Sequence, residues 1–481
     1  MRLLELLPEF GCEILYGSDK DISSLMIHSK NVSEKAVFFA VKGERHDGIA
    51  FVDEAKRNGA VAVVMEGKAP YYIDGLTYVK ASNINAVQAY MAIKLFRLDE
   101  LAPKRVGVTG TNGKTSFTII ASEIFTRIGH KSAFTGTLGT NIQGFDSELT
   151  DNTTYPPALY AKLLSKASSE GYEYVFSEVS SQGIALNRVN GFSFGYAVFL
   201  NLTQDHLDFH GDMEEYFQQK SKLFGQTDVS VINISDEYGK RLYDSLVKEG
   251  KKAVSFAIRE DADYCLSNVR HLGNDTEFTI KTSSFSEKFV IPMLGEHNAV
   301  NASLAVTIAH LEGLGIAGIK KALLDIPQIR GRLEKVYDGD TKVYIDYAHT
   351  PDALVKSIDA IRQSSEGQLT VVFGCGGGRE AEKRCIMGRI AAKNCDLAII
   401  TTDNPRNENP NEIISHIISG IPGENDNYIV IPQRAKAIEY ALAATAFGNV
   451  LIAGKGHEEY ILVGDEKLPF SDKGCVQSIY G

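Results

Sequence analysis

The sequence predicts an α/β fold in three domains: a small α/β N-terminal domain, a central P-loop mononucleotide-binding α/β sheet domain, and a C-terminal Rossmann-like α/β domain. Three observations lead there. A chain of 481 residues has length for about three domains. Short, apolar, β-branched runs alternate with helical patterns along it. One such run, Val106–Thr109, leads into Gly-Thr-Asn-Gly-Lys-Thr at 110–115 and then a helical pattern over Ser116–Arg127. Strand, glycine turn, Lys-Thr and helix are the parts of a nucleotide phosphate cradle.

The composition supports a buried core, with 44% hydrophobic and 23% charged residues. A net charge of −11 gives no basic excess to neutralise phosphates, which disfavours nucleic acid or an anionic membrane as a general partner, while local basic clusters can still bind an anionic small molecule. No segment reaches the ~18 continuous apolar residues of a membrane span. The apolar start, Met1 to Pro8, is interrupted by Glu5 and Pro8 and lacks a signal-peptide core. Six cysteines form no C-x-x-C pair, and the spacing of Cys375, Cys385 and Cys395 fits no zinc pattern, so free thiols in a reducing compartment are expected. A cytoplasmic protein without membrane insertion is the expectation from these features; a monomer is expected as well, though none of them fixes the oligomeric state.

Three segments follow in order: 1–102, 103–330 and 331–481. In the first segment Ala36–Val41 and Ala60–Met65 read as strands, and Asp53–Gly59 and Ile84–Leu98 as helices. Leu101-Ala-Pro-Lys104 breaks the pattern before the phosphate strand. In the middle segment Tyr174–Glu178, Tyr196–Leu200, Val229–Ile234 and Phe289–Met293 read as strands, and Met213–Leu223 and Asn298–Leu314 as helices. A mainly parallel sheet is expected there.

The last segment repeats one unit. Lys342–Asp346, Leu369–Phe373, Asp396–Thr401 and Asn449–Ala453 read as strands, each followed by a loop rich in Gly, Asp, His or Arg. Thr350 and Pro351 mark a helix start, as do Asn409 and Pro410. In an open α/β sheet, ligands sit beyond the carboxyl ends of the strands, so these four loops are expected to line one crevice.

The residues in the phosphate turn have separate tasks. Gly110 and Gly113 let backbone N–H groups approach phosphate oxygens; Lys114 reaches the terminal phosphates and Thr115 a magnesium ion. The turn is more compact than G-x-x-x-x-G-K-[ST], because Val108 stands where that pattern has its first glycine. A bound nucleoside triphosphate is the expectation.

Other constellations leave alternatives open. Glu178 ends a strand, and reads either as a Mg²⁺ ligand or as a solvated strand end. Asp205, His206, Asp208, His210 and Asp212 lie within eight residues. They suit a divalent cation or a polar, helix-capping loop, and their spacing selects no unique ligand set. By composition Lys220 is a solvated lysine. Arg332 and Asp346 read as charge-stabilising and nucleotide-contacting groups or as structural ion pairs. Arg379, Arg384 and Arg406 suit bidentate carboxylate recognition or salt bridges. Gly374-Cys-Gly-Gly-Gly378 does not complete a convincing dinucleotide pattern.

Across nearly its whole length the chain resembles the Mur ligases, ATP-dependent amide-forming enzymes of peptidoglycan precursor synthesis. The resemblance rests on Thr109–Thr115, Glu178-Val-Ser-Ser181, Asn201–Asp208, His297-Asn298 with Asn301, Gly331-Arg332, Asp346-Tyr-Ala-His349 and Gly454-Lys-Gly-His457. Phe209–Tyr216, Phe373–Gly377 and Asp403-Asn-Pro-Arg406 narrow it to the MurE type, which adds a diamino acid to UDP-N-acetylmuramoyl-L-alanyl-D-glutamate. In that branch Asp-Asn-Pro-Arg goes with meso-diaminopimelate. Its second carboxylate gives Arg406 a bidentate partner that lysine lacks.

The resemblance implies roles. Gly110, Thr111, Asn112, Gly113, Lys114, Thr115 and Ser116 would cradle ATP, with Asn298, Asn301, Arg332 and Asp346 as further nucleotide contacts. Two Mg²⁺ ions would be held by Thr115, Glu178, His206 and Lys220, the last as a carbamate formed with CO₂; this replaces the solvated reading of Lys220. Lys114, Lys220, Glu178, His206 and His349 would be the catalytic set. Ser29, Thr153, Thr154, Ser181 and Arg188 would bind the UDP-muramoyl dipeptide through the N-terminal and central domains. Arg379, Asp403, Asn404, Pro405, Arg406, Gly454 and Glu458 would form the diamino acid pocket. The chain departs from the family at His28-Ser29-Lys30, where Asp-Ser-Arg is usual, and at Gln182, where histidine is frequent.

The implied reaction passes through an acyl phosphate to UDP-MurNAc-tripeptide, ADP and phosphate. The alternatives are the same reaction with L-lysine or lanthionine, a ligase like folylpolyglutamate synthase, or an ATP-binding scaffold without turnover. The residues before Leu101 and Asp403–Arg406 disfavour the synthase, and intact Lys114, Glu178, His206 and Lys220 disfavour the scaffold.

Overall fold

The computed structural model describes residues 1–43, 47–145 and 152–480. It contains three principal sheets, of five, ten and six strands, each with helices packed on it. By backbone contacts the chain divides into two compact units. The first comprises Met1–Thr109, Gly129–Ala197 and Gln219–Ser230; the second comprises Gly110–Ile128, Val198–Gln218 and Val231–Gly481.

In the first unit, the β-branched runs Ala36–Ala40 and Ala60–Met65 pair in parallel at the centre of the five-stranded sheet. Phe38, Val63, Met65 and Tyr78 build its core. Asn83 caps the helix Ile84–Phe96 by accepting from Ala86 N, and Arg97 ends it in the left-handed conformation. Gln88, buried on that helix, accepts from Ala158 N at the start of helix Pro157–Ser169. Strand Lys104–Thr109 pairs in parallel with Tyr174–Glu178, which pairs in parallel with Ser132–Gly136. These three belong to the ten-stranded sheet.

In the second unit the ten-stranded sheet does not stay parallel. Tyr264–Leu272, Asp275–Lys281 and Ser286–Ile291 form an antiparallel meander. Only the last of these strands was legible from its apolar run. The others alternate buried and open residues on a half-covered face, and Gly273-Asn274 is the two-residue turn that joins them. The helices Lys114–Ile128 and Glu296–Leu311 pack together, so Gly113 approaches Asn301 closely.

The six-stranded sheet is parallel except for its edge strand Glu334–Asp338. Both faces are buried, and the period of two sorts each strand into two cores. Tyr344, Val371, Phe373 and Leu451 enter one; Val343, Ile345, Val372, Val450 and Ile452 enter the other. The register sets Asp346 beside Ala453, Ile452 beside Val372 and Phe373 beside Ile400. Four carboxyl ends therefore align, and their loops emerge together, as the repeated unit predicts.

Among the described residues, no helix is long and apolar enough to cross a membrane. All six cysteines are free.

The helices Glu382–Asn394 and Pro410–Ile418 meet at Gly388, where an added Cβ would lie 2.1 Å from the Ile417 carbonyl oxygen. Ala gains about 1 kcal/mol of helix propensity over Gly. Backbone cannot yield as a side chain does, and overpacking costs about 1–3 kcal/mol. Gly388→Ala is therefore expected to lower stability, read as a reduced urea midpoint at unchanged slope.

Candidate active site

The phosphate loop lies in the second unit, and its shape is set from outside the loop. Asn201 accepts from Asn112 N at 2.9 Å through Oδ1 and donates to the Asn112 carbonyl at 3.1 Å through Nδ2. Thr111 N donates to the Asn201 carbonyl at 3.0 Å, and Thr111 Oγ1 accepts from Thr203 N at 3.0 Å. Tyr216 Oη lies 3.2 Å from the same hydroxyl. Asn112 Nδ2 donates to Asp352 Oδ2 at 2.9 Å, in the first turn of helix Pro351–Ser364. Asn201 and Tyr216 fall within motifs noted above, though neither was given a role; nothing in the sequence singled out Asp352.

Gly113 has φ +93°, and a Cβ there would lie 2.6 Å from Asn301 Oδ1. Lys114 arches back over the loop, its Nζ donating to the Gly110 and Thr111 carbonyls at 2.9 Å each. Thr115 and Ser116 are buried in the first turn of the helix. Backbone N–H groups at a helix start, a cationic side chain and a hydroxyl are the parts that fit a triphosphate.

Arg332, Asp346 and His349 belong to this unit too. Arg332 Nη2 donates to Thr115 Oγ1 at 3.0 Å, and its guanidinium lies 4.5 Å from the centre of the Tyr347 ring. Asp346 Oδ2 accepts from Leu333 N at 2.9 Å and from Ser357 Oγ at 3.2 Å. Burial pushes its carboxyl up to about 6, against the opposing pull of Arg332 and these donors. His349 donates from Nδ1 to the Tyr347 carbonyl at 2.8 Å, which leaves Nε2 as its acceptor. Burial lowers its pKa, with Lys383 adding to the effect, so the imidazole is neutral at pH 7. Asn298, also buried, donates to the Leu294 carbonyl at 2.8 Å.

His206 takes a left-handed backbone conformation, φ +56°, at the start of a short helix. Its Nε2 lies 3.4 Å from Asp205 Oδ2, and Lys383 Nζ lies 3.7 Å from Asp205 Oδ1. Burial opposes ionisation of Asp205, but His206, His349 and Lys383 prevail and hold its carboxyl at about 2. Asp208 lies 4.0 Å from Arg379 in an open ion pair.

The loops beyond the six-stranded sheet converge. A Cβ on Gly454 would lie 2.4 Å from Asp403 Oδ2. Arg406, in the left-handed region at φ +52°, donates from Nη1 to the Gly377 carbonyl at 2.6 Å. Its guanidinium crosses Gly376, where a Cβ would sit 2.9 Å from Nη1. Asn404 Nδ2 donates to Glu458 Oε2 at 2.8 Å. Arg384 is a support: fully buried, it pairs with Glu408 at 2.9 Å, and Glu408 accepts from Gly378 N. The salt-bridge reading therefore holds for Arg384, whereas Arg406 meets backbone.

In the first unit, Glu178 is 3% exposed, so it is not a solvated strand end. Its Oε1 accepts from Thr137 N at 2.9 Å and its Oε2 from Thr137 Oγ1 at 3.3 Å. Gly136 leaves it room: a Cβ there would lie 2.1 Å from Oε1. Thr153 Oγ1 lies 3.0 Å from Thr137 Oγ1, and Thr154 Oγ1 donates to the Glu178 carbonyl at 3.1 Å. Thr153, Thr154 and Glu178 line one cavity with Tyr155 and Val189. Arg188 donates to the Thr154 carbonyl at 3.0 Å, and Ser181 is buried at the start of the following helix. Thr137 is a contact that sequence reasoning missed. Ser29 donates its hydroxyl hydrogen to Glu54 Oε2 and is held by Asn58 through its carbonyl.

Lys220 is 1% exposed on the helix Met213–Ser221, which corrects its compositional reading as a solvated lysine. Among the described residues no three His, Cys, Asp or Glu side chains group as a metal centre. Magnesium fits such a donor set when it is held by a carboxylate or two together with phosphate oxygens, rather than by an all-protein cage. Thr115 in the second unit and Glu178 in the first are each, taken separately, a hard oxygen donor.

Gly113→Ala would strain the backbone and drive Asn301 from the loop. It is expected to weaken ADP binding by tenfold or more, about 1.4 kcal/mol, measured by titration calorimetry. Asp346 gives a pH signature. Its carboxyl titrates near 3.8 when unfolded and about 6 when folded. Between those values the folded chain binds more protons, so this group makes stability fall as pH rises from about 4 to 6. Asp346→Asn is expected to flatten that part of the profile in thermal melts.

Comparison with known proteins agrees with this geometry. Residues 21–94 match the model of the Mur ligase family catalytic domain, 108–309 the Mur ligase middle domain, and 331–456 the Mur ligase glutamate ligase domain. The UDP-N-acetylmuramoyl-L-alanyl-D-glutamate–2,6-diaminopimelate ligase of Caldanaerobacter subterraneus is 38% identical over 482 residues, covering 100% of this chain and 99% of that one. Ligase 1 of the same name from Clostridium acetobutylicum is 36% identical, covering 99% and 98%. A solved structure of a ligase of that name is 28% identical, with TM-score 0.65 over 95% of this chain and 94% of that one. MurF from Thermotoga maritima, solved with ADP, shares the fold at 18% identity and TM-score 0.68, covering 90% and 94%. Three family domains in order along the chain, and relatives aligned over its full length, place this protein in the Mur ligase family.

Proposed function

We propose that this chain is the ATP-dependent ligase that joins meso-diaminopimelate to UDP-N-acetylmuramoyl-L-alanyl-D-glutamate. The observation that carries the reading is full-length identity of 34–38% to ligases named for that reaction. The segmentation 1–102, 103–330 and 331–481 goes with it, as substrate, ATP and amino-acid domains.

Mg-ATP, when bound, supplies the phosphoryl group that turns the substrate carboxylate into an acyl phosphate. The chain's own residues align anions that repel one another. The Gly110–Thr115 backbone and Lys114 hold the triphosphate, with Asn298, Asn301, Arg332 and Asp346 as further nucleotide contacts. Thr115, Glu178, His206 and Lys220 would hold two Mg²⁺ ions. Lys220 is buried rather than solvated, which supports a role inside the site, where the carbamate formed with CO₂ would be an anionic oxygen ligand. Ser29, Thr153, Thr154, Ser181 and Arg188 would hold the nucleotide-sugar peptide. His349 Nε2 can take the proton lost by the amine as the amide forms and phosphate leaves.

Diaminopimelate is favoured over lysine by Arg406. Its guanidinium lies across a glycine backbone and suits a second carboxylate on the donor, which diaminopimelate has and lysine lacks. Arg379, Asp403, Asn404, Pro405, Gly454 and Glu458 complete this pocket. Phosphate release in the presence of ATP, Mg²⁺ and the UDP-muramoyl dipeptide is the test. Release is expected with meso-diaminopimelate, and slower by about tenfold or more with L-lysine, which lacks the second carboxylate; lanthionine, which keeps it, is expected to lie closer to diaminopimelate. Equal rates with lysine would overturn the donor assignment, and no release with any amine would overturn the ligase. Lys220→Ala is expected to lower kcat by roughly 10²–10³-fold in the same assay.

A further inference from the structure

Lys455 follows Gly454 and is fully buried, at 0% exposure. A buried ammonium costs several kcal/mol unless acceptors surround it. Its Nζ donates to Asn404 Oδ1 at 2.9 Å and to Glu458 Oε2 at 3.0 Å, and lies 3.8 Å from Asp403 Oδ1. All three acceptors belong to the diamino acid pocket proposed above.

The contacts fix more than charge. Asn404 Oδ1 also accepts from Leu462 N at 2.9 Å. With two donors on its oxygen, the amide cannot flip, so Nδ2 must face Glu458 Oε2, at 2.8 Å. Glu458 Oε2 is committed to two donors, and Oε1 is the acceptor left for a substrate ammonium. A second buried cation supports the same loops from behind: Arg434 pairs with Asp472 at 2.7 and 2.8 Å, donates to the Ala453 carbonyl at 2.9 Å, and lies 4.0 Å from Asp403 Oδ2.

We propose that Lys455 is a positioning residue for the amine donor: through Asn404, Glu458 and Asp403 it presets the polar end of the pocket without touching the substrate. This rests on the reading of those loops as the diamino acid pocket. It separates Lys455 from the phosphate chemistry, so its loss should appear in the donor's KM and not in the nucleotide steps.

The test is steady-state kinetics of Lys455→Met and Lys455→Arg. Lys455→Met is expected to raise KM for meso-diaminopimelate by roughly tenfold or more. KM for the UDP-muramoyl dipeptide, and ADP formation without any amine, should stay within about twofold of wild type. Lys455→Arg keeps the charge in a larger fork and is expected to restore part of the donor KM. A folded Lys455→Met enzyme with unchanged donor KM would overturn the proposal, as would equal losses in all three quantities. If that variant melts below assay temperature, Lys455→Gln is read in its place. It loses the charge and reach, and a rise of about threefold in donor KM is expected; no rise overturns the proposal. Wild-type protein inactive with diaminopimelate would instead remove the functional reading itself.

Discussion

The pocket proposed for the amine donor depends on the register of one sheet. Asp346, Ala453, Phe373 and Ile400 end four strands at the same level. A parallel sheet buried on both faces has no freedom to slip, because a shift by one residue would exchange its two cores. Loops far apart in sequence are thereby delivered to one edge. There the glycines accept neighbours that a side chain would displace: Gly454 against Asp403, and Gly376 and Gly377 against Arg406 and Pro405.

Around that edge the chain buries charge unusually often. Arg384, Arg434, Asp472 and Lys455 are all enclosed. Each is matched by an opposite charge: Arg384 by Glu408, Arg434 by Asp472, and Lys455 by Glu458. Such pairs contribute little net stability relative to apolar replacements, yet breaking one leaves an uncompensated charge. Their value here is geometric. They hold backbone carbonyls and amides in fixed places around Arg406 and Glu458, the groups proposed to meet the amine donor. The phosphate loop follows the same rule with neutral groups, its shape imposed by Asn201, Thr203 and Asn301.

Much was legible in the sequence. The phosphate strand and helix, the cap at Thr350 and the four strand-ending loops follow from local chemistry: β-branched runs, hydroxyl caps and glycines at turns act within a few residues. The family motifs named most of the candidate site. The antiparallel meander over Tyr264–Ile291 was missed where alternation on a half-covered face is a weaker signal than a continuous apolar run.

The sequence by itself determined most of the strands and helices and named the candidate residues for the chemistry, because those depend on spacing and side-chain type. Tertiary structure alone decided which of them are buried and paired. Lys220 reads as a surface lysine on a polar helix and is enclosed. Thr137 and Asp352 carry no local mark, and the motifs that contain Tyr216 and Lys455 give those two no role, yet each of the four meets a group from a distant part of the chain. Burial and long-range pairing are properties of the packed chain, and a single side chain's identity does not encode them.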